Sequence, residues 1–174
     1  MPERYAELIR RVLAHDERCA VVITGSPSEA PEAAQLAQQG GARCYSLAGQ
    51  TELAELPALY AQSTAMVTND SGPSHFAAAS GLPTIVLFGP ETPKLYQPLG
   101  TSQAIYAGLA CSPCVSASNH RKTACDNNVC MQAIGVELVF REVAAVLGRR
   151  VADMDARDIS LAPQSHHDTR TQIG

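Results

Sequence analysis

The chain has 174 residues, 45% of them hydrophobic, a formal net charge of −4 and a pI near 5.7. That length suffices for one ordinary hydrophobic core, and the mild acidity offers no basic field for nucleic acid or an anionic membrane surface. No apolar run approaches the roughly 18 residues of a membrane-spanning helix, and the charged start MPERYAELIRR does not read as a secretory leader, so a cytoplasmic protein is expected.

Tyr5, Leu8, Ile9, Val12 and Leu13 recur at helical spacing across residues 2–15, and the apolar run from Cys19 to Thr24 then predicts a buried strand ending at Gly25. Ser28 to Gln39 reads as a helix with Ser28 as its N-cap and Pro31 in its first turn, followed by a short strand over Cys44 to Leu47. Thr51 is expected to cap a helix reaching Gln62, with Pro57 as a kink or break. Ala65 to Thr68 predicts a strand running into Asn69-Asp70-Ser71-Gly72. A small-residue helix from Pro73 to Ser80 stops at Gly81, Thr84 to Phe88 (TIVLF) is a buried strand, and Gln103 to Tyr106 is another. Beyond a cysteine-bearing loop, Val136, Val139, Phe140, Val143 and Leu147 define a closing amphipathic helix. One domain is expected over residues 1–150 and a polar, disordered tail over 151–174, where His166 and His167 read as solvated surface.

Strands apolar on both faces and joined by helices predict an α/β fold: a Rossmann-like parallel sheet with helices on both faces. Ligands of such sheets sit beyond the strand C-termini. Asn69-Asp70-Ser71-Gly72-Pro73-Ser74-His75 falls on one of those strand-to-helix turns, where unpaired N–H groups favour a phosphate. Asp70 can accept from sugar or ribose hydroxyls, Gly72 permits close backbone approach, and His75 can donate to an anionic oxygen. The same residues also suit local roles: Asp70 or Ser71 as cap, Gly72 as turn, His75 as packing.

The stretch VTNDSGPSHFAAASGLPTIVLFGPETPKLYQPLG, Val67 to Gly100, closely resembles the signature segment of glycosyltransferase family 9, the lipopolysaccharide heptosyltransferases. RYAELIRRV, VVITGSPSEAPEA and SLAGQTELAELPALYAQS resemble flanking pieces of that family, so the likeness runs over residues 3 to 147. The resemblance implies the C-terminal half of a GT-B fold, which binds a nucleotide-diphosphate sugar such as ADP-heptose for inverting transfer to a lipopolysaccharide-type acceptor, at or near the inner membrane. Carried over by position, Asp70 would contact the sugar, Ser71 and Gly72 the diphosphate, and His75 would support the pocket. Thr24-Gly25 with Glu29, or Glu32 in its place, resembles the loop that holds the nucleoside, against plain helix N-terminal charge as the local alternative. Gly89 would wall the crevice and Lys94 reach a phosphate, or simply lie exposed.

The resemblance further implies that the acceptor half precedes this one and carries the catalytic base. No catalytic residue is therefore assigned here, and a partner chain supplying the acceptor half, or self-association, is expected. A non-catalytic nucleotide-binding module or truncated remnant is the alternative. No metal is expected for catalysis, since the helix starting at Pro73 would stabilise the leaving diphosphate. Cys111, Cys114, Cys125 and Cys130, spaced C-x2-C-x10-C-x4-C, admit a structural zinc ion or reduced thiols; His120 between them can replace one ligand. Cys19 and Cys44 read as inert core residues.

Overall fold

The computed structural model describes residues 2–161. Helix α1 (Pro2–His15) carries Glu3 in its first turn and His15 in its last, both favourable to the helix dipole. Its buried side chains form two diverging stripes. Leu8 packs with Ile85, Leu87, Ile105, Val139 and Val143, while Ala6, Ile9 and Leu13 pack with Leu36 and Cys44. One helix therefore serves two cores. At its C-terminal end the Arg43 guanidinium donates to the carbonyls of Leu13 (2.6 Å), Asp16 (3.1 Å), Glu17 (3.0 Å) and Cys19 (2.7 Å), satisfying groups that a helix terminus leaves open.

Strand β1 (Val21–Ile23) pairs in parallel with β2 (Cys44–Ser46), and α2 (Ala30–Gly40) crosses between them. After α3 (Leu56–Ala61), β3 (Met66–Asn69) leads into α4 (Gly72–Ala79), β4 (Thr84–Phe88), α5 (Pro93–Tyr96) and β5 (Ser102–Tyr106). Strand β4 lies between β3 and β5, parallel to both. All five of its residues are buried, with Val86 and Phe88 at 0% exposure; full burial of such side chains contributes on the order of 1.5–3 kcal/mol each. After α6 (Val129–Gln132), α7 (Val136–Leu161) lies along α1, where Arg11 bridges Glu7 (2.7 Å) and Glu137.

The parallel α/β architecture agrees with the sequence pattern, but several details differ. The strands form two separately hydrogen-bonded sheets, β1-β2 and β3-β4-β5, with α1 packed in the cores of both, and β1 and β3 are not hydrogen-bonded to each other. Only one face of the β1-β2 pair is covered: the register-matched Val22 and Tyr45 are 44% and 53% exposed. The first strand is shorter than Cys19–Thr24, because Asp16 to Cys19 close a turn under Arg43. Helix α2 is entered not from Ser28 but from Ser26, through a 3-10 turn at Pro27–Glu29, since Pro27 supplies the fixed φ of a first helical position. Thr51 caps nothing; Glu52 to Glu55 form a turn held by the Glu55 carboxylate accepting from the Glu52 N–H at 2.8 Å. Pro57 then sits in the first turn of α3 instead of breaking it. Helix α7 continues past Arg150 to Leu161, because Val151–Leu161 contains neither Gly nor Pro and includes good helix formers such as Ala152, Met154 and Ala156. The rest of the expected tail, with His166 and His167, lies outside the described residues.

Candidate functional site

Strand β3 ends at Asn69, and the chain turns through Asp70 and Ser71 into α4. Ser71 is in the extended region (φ −158, ψ 166) and its carbonyl accepts from the Ser74 N–H (3.1 Å) and the buried Ser74 hydroxyl (2.6 Å). The Ser71 hydroxyl turns back to donate to the Asn69 carbonyl at 3.1 Å. This leaves the helix start open toward solvent. A Cβ built on Gly72 meets nothing within 4 Å, so the missing side chain keeps the approach to the first amides clear. Pro73, next along, has no N–H and its fixed φ suits the first turn.

These residues line a cleft of about 360 Å³, within the range of small-molecule sites. Asn69, Asp70, Ser71 and Gly72 form one wall and Gly89, Pro90 and Glu91, after β4, another. Gly89 is there for packing: a Cβ would stand 2.6 Å from Met131 Sδ and 2.7 Å from Met131 Cγ. The cysteine loop is tied to this turn, with Ser112 Oγ donating to the Gly89 carbonyl and the Cys114 and Val115 amides to the Pro90 carbonyl at 2.9 and 3.0 Å.

That loop brings a cation which sequence reasoning did not single out. Arg121 lies in the cleft, 3.3 Å from Glu91 and with its guanidinium carbon 5.0 Å from the centre of the Tyr96 ring. It and His120 adopt left-handed backbone conformations, φ 57 and 56, which L-residues other than glycine take at a cost of roughly 1–2 kcal/mol. The Tyr96 hydroxyl first, and Glu91 second, favour its charged form. Burial, and then the nearby Glu91 charge, raise the Asp70 carboxyl above its ordinary value, against the opposing influence of His75 and Arg121.

Of the residues marked from sequence, Asp70, Ser71, Gly72 and Gly89 come together in the cleft. His75 is exposed on the first turn of α4, outside the lining but close enough to act on the Asp70 charge. Lys94 is exposed on α5 and is not part of the lining; the cation there is Arg121. Thr24, Gly25 and Glu29 follow β1 in the other sheet. None of the three is part of the cleft lining at Asn69. The Glu29 carboxylate accepts from the Ser26 N–H (2.7 Å) and hydroxyl (2.6 Å), a capping arrangement that lowers its pKa. A Cβ on Gly25 would stand 3.2 Å from that carboxylate. Among the described residues no group of three or more His, Cys, Asp or Glu is placed to hold a metal ion. Cys111, Cys114, Cys125 and Cys130 are free thiols, the first and third exposed and the last buried against Gly89. Cys44 is buried, and burial raises its thiol pKa as it does for Cys19.

The domain is thus a parallel α/β fold whose cleft joins an open helix N-terminus, a guanidinium and two carboxylates. A family model described as glycosyltransferase family 9 (heptosyltransferase) matches residues 2–124, and the chain belongs to that family. It is 39% identical over 99 residues to lipopolysaccharide heptosyltransferase 2 of Escherichia coli K12, covering 55% of this chain and 28% of that one. It is 37% identical over 105 residues to lipooligosaccharide heptosyltransferase 2 of Haemophilus influenzae, covering 58% and 30%. The structure of E. coli ADP-heptose lipopolysaccharide heptosyltransferase II superposes with a TM-score of 0.69 at 27% identity over 86% of this chain and 42% of that one, which identifies the architecture as part of a GT-B fold. The chain thus matches less than a third of the length of these curated relatives. Among the described residues, no helix is long and apolar enough to cross a membrane.

Proposed function

We propose that this chain is the donor-binding half of a heptosyltransferase, holding a nucleoside-diphosphate sugar, ADP-heptose, for inverting transfer to a lipopolysaccharide-type acceptor. The observation that carries the reading is the cleft at the start of α4, where the Ser71-Gly72 backbone, Asp70 and Arg121 converge. In this reading the diphosphate lies at the α4 N-terminus, met by the Gly72 N–H and the helix dipole. Asp70 accepts hydroxyls of the sugar, and His75 flanks the pocket. Thr24, Gly25 and Glu29 form the nucleoside side, with the Glu29 carboxylate held in place by Ser26. Two relatives named heptosyltransferase 2 and a solved ADP-heptose enzyme support the choice of donor.

In the transfer, the bond from the anomeric carbon to the diphosphate breaks while the acceptor oxygen bonds from the opposite face, its proton passing to a carboxylate of the acceptor half. Charge grows on the leaving phosphate, and preorganised donors at α4, with Arg121, stabilise it without a divalent cation. The acceptor half packs against the face that exposes the Val22–Tyr45 pair. The reading is tested by calorimetric titration with ADP, UDP and GDP. ADP is expected to bind, and an Asp70→Ala, His75→Ala double variant to lose binding; equal binding by that variant would overturn it.

A further inference from the structure

We propose that Arg121 and Glu91 form an exchangeable pair that reads the donor: on binding, the guanidinium leaves Glu91 for the diphosphate, and the freed Glu91 carboxylate joins Asp70 in accepting the sugar hydroxyls. The inference rests on the donor-binding reading above, which already places Arg121 at the leaving phosphate, and adds the exchange itself and a role for Glu91.

Glu91 is only 8% exposed, yet its partner is a single guanidinium NH2 at 3.3 Å, long for a charge-assisted bond. Its other oxygen has no hydrogen-bond partner among the described residues. A buried carboxylate with one stretched contact keeps acceptor capacity to offer a ligand. Arg121 is the looser member, its side chain 59% exposed against 11% for Glu91, so water and salt screen the pair from the arginine side. Parting the two is therefore easy once a better anion arrives. Tyr96 supplies what a moving guanidinium requires, a flat surface on which its plane can pivot while the charge stays over the cleft.

The charges demand some such exchange. Asp70 and Glu91 place two carboxylates against one guanidinium in the cleft, so a diphosphate entering at Gly72 meets uncompensated negative charge unless the cation turns to it. A bidentate guanidinium suits phosphate oxygens better than a single stretched bond to Glu91. Two carboxylates left free on opposite walls can then each accept from sugar hydroxyls, and a buried acceptor that finds no hydroxyl is penalised. The cysteine loop, anchored at Pro90, would close over the donor through this one side chain.

The test is calorimetry on the full chain with ADP and with ADP-heptose, for wild type, Arg121→Ala and Glu91→Gln, each checked for an unchanged thermal transition. Arg121→Ala is expected to weaken ADP binding at least tenfold. Glu91→Gln is expected to bind ADP as tightly as wild type or more so, while losing the added affinity that the sugar confers. Unchanged ADP binding by Arg121→Ala overturns the proposal, as does a Glu91→Gln variant that keeps the wild-type ratio or loses both ligands equally. Failure of wild type to bind ADP would instead remove the donor-binding reading itself.

Discussion

The Tyr5 hydroxyl donates to the Asn69 side-chain oxygen at 2.8 Å, joining the first turns of α1 to the strand end that opens the cleft. Tyr5 also packs against both cores, and burial raises its pKa, so the bond is held by a side chain with little freedom to leave it. Replacing Tyr5 by Phe is expected to cost about 1 kcal/mol of stability and to loosen the Asn69–Gly72 turn. Denaturant unfolding would measure the first effect, and faster amide exchange at Asp70 and Ser71 the second; unaltered exchange there would show that the turn needs no such tie.

Two glycines separate packing from function. A Cβ at Gly40 would stand 2.6 Å from Cys44 Cβ and 2.9 Å from Ile9 Cγ2, so Gly40→Ala is expected to destabilise by about 1–3 kcal/mol with the cleft untouched. A Cβ at Gly72 enters open space, so Gly72→Ala should leave the thermal transition in place while weakening nucleotide binding. Melting curves and titrations of the two variants should show opposite profiles.

Asp70 is a site where binding and stability pull apart. Its pKa is raised in the folded chain by burial and by Glu91, so between the unfolded and folded values the native state holds the proton more tightly. The stability associated with the protonated form is present below the unfolded pKa and is lost as pH rises through the folded one. Asp70→Asn is therefore expected to melt at or above the wild-type temperature at pH 7, an advantage that disappears below about pH 3.8, where both chains carry a neutral group, while nucleotide-sugar binding falls. Paired melts across that range decide the matter; a variant less stable at pH 7 than at pH 3, relative to wild type, would contradict the direction of the shift.

Much of this was legible in the chain. Thr84 to Phe88 is an uninterrupted apolar run because β4 is covered on both faces, and α1 shows its pattern because two cores draw on it. The Asn69–Gly72 turn could be marked because strand-to-helix junctions place anion-binding amides at predictable points. Arg121 could not: it enters the cleft from a loop without periodicity, on a left-handed backbone, to meet a partner 30 residues away. The start of α2 moved by two residues because a capping box at Ser26 outweighs a lone serine at Ser28. The gap between the two sheets was equally hidden, since each strand is apolar whether or not its far edge is paired.

The most direct test of the account is to add ADP to isotope-labelled protein and follow the backbone amides together with the arginine Nε–H signals. The account predicts saturable shifts that are largest at Ser71, Gly72 and His75 and at Arg121 Nε, with none at the Thr84–Ser102 end of the sheet. Saturable shifts confined elsewhere, or no saturation at millimolar ADP, would contradict the placement of the donor phosphate at the start of α4.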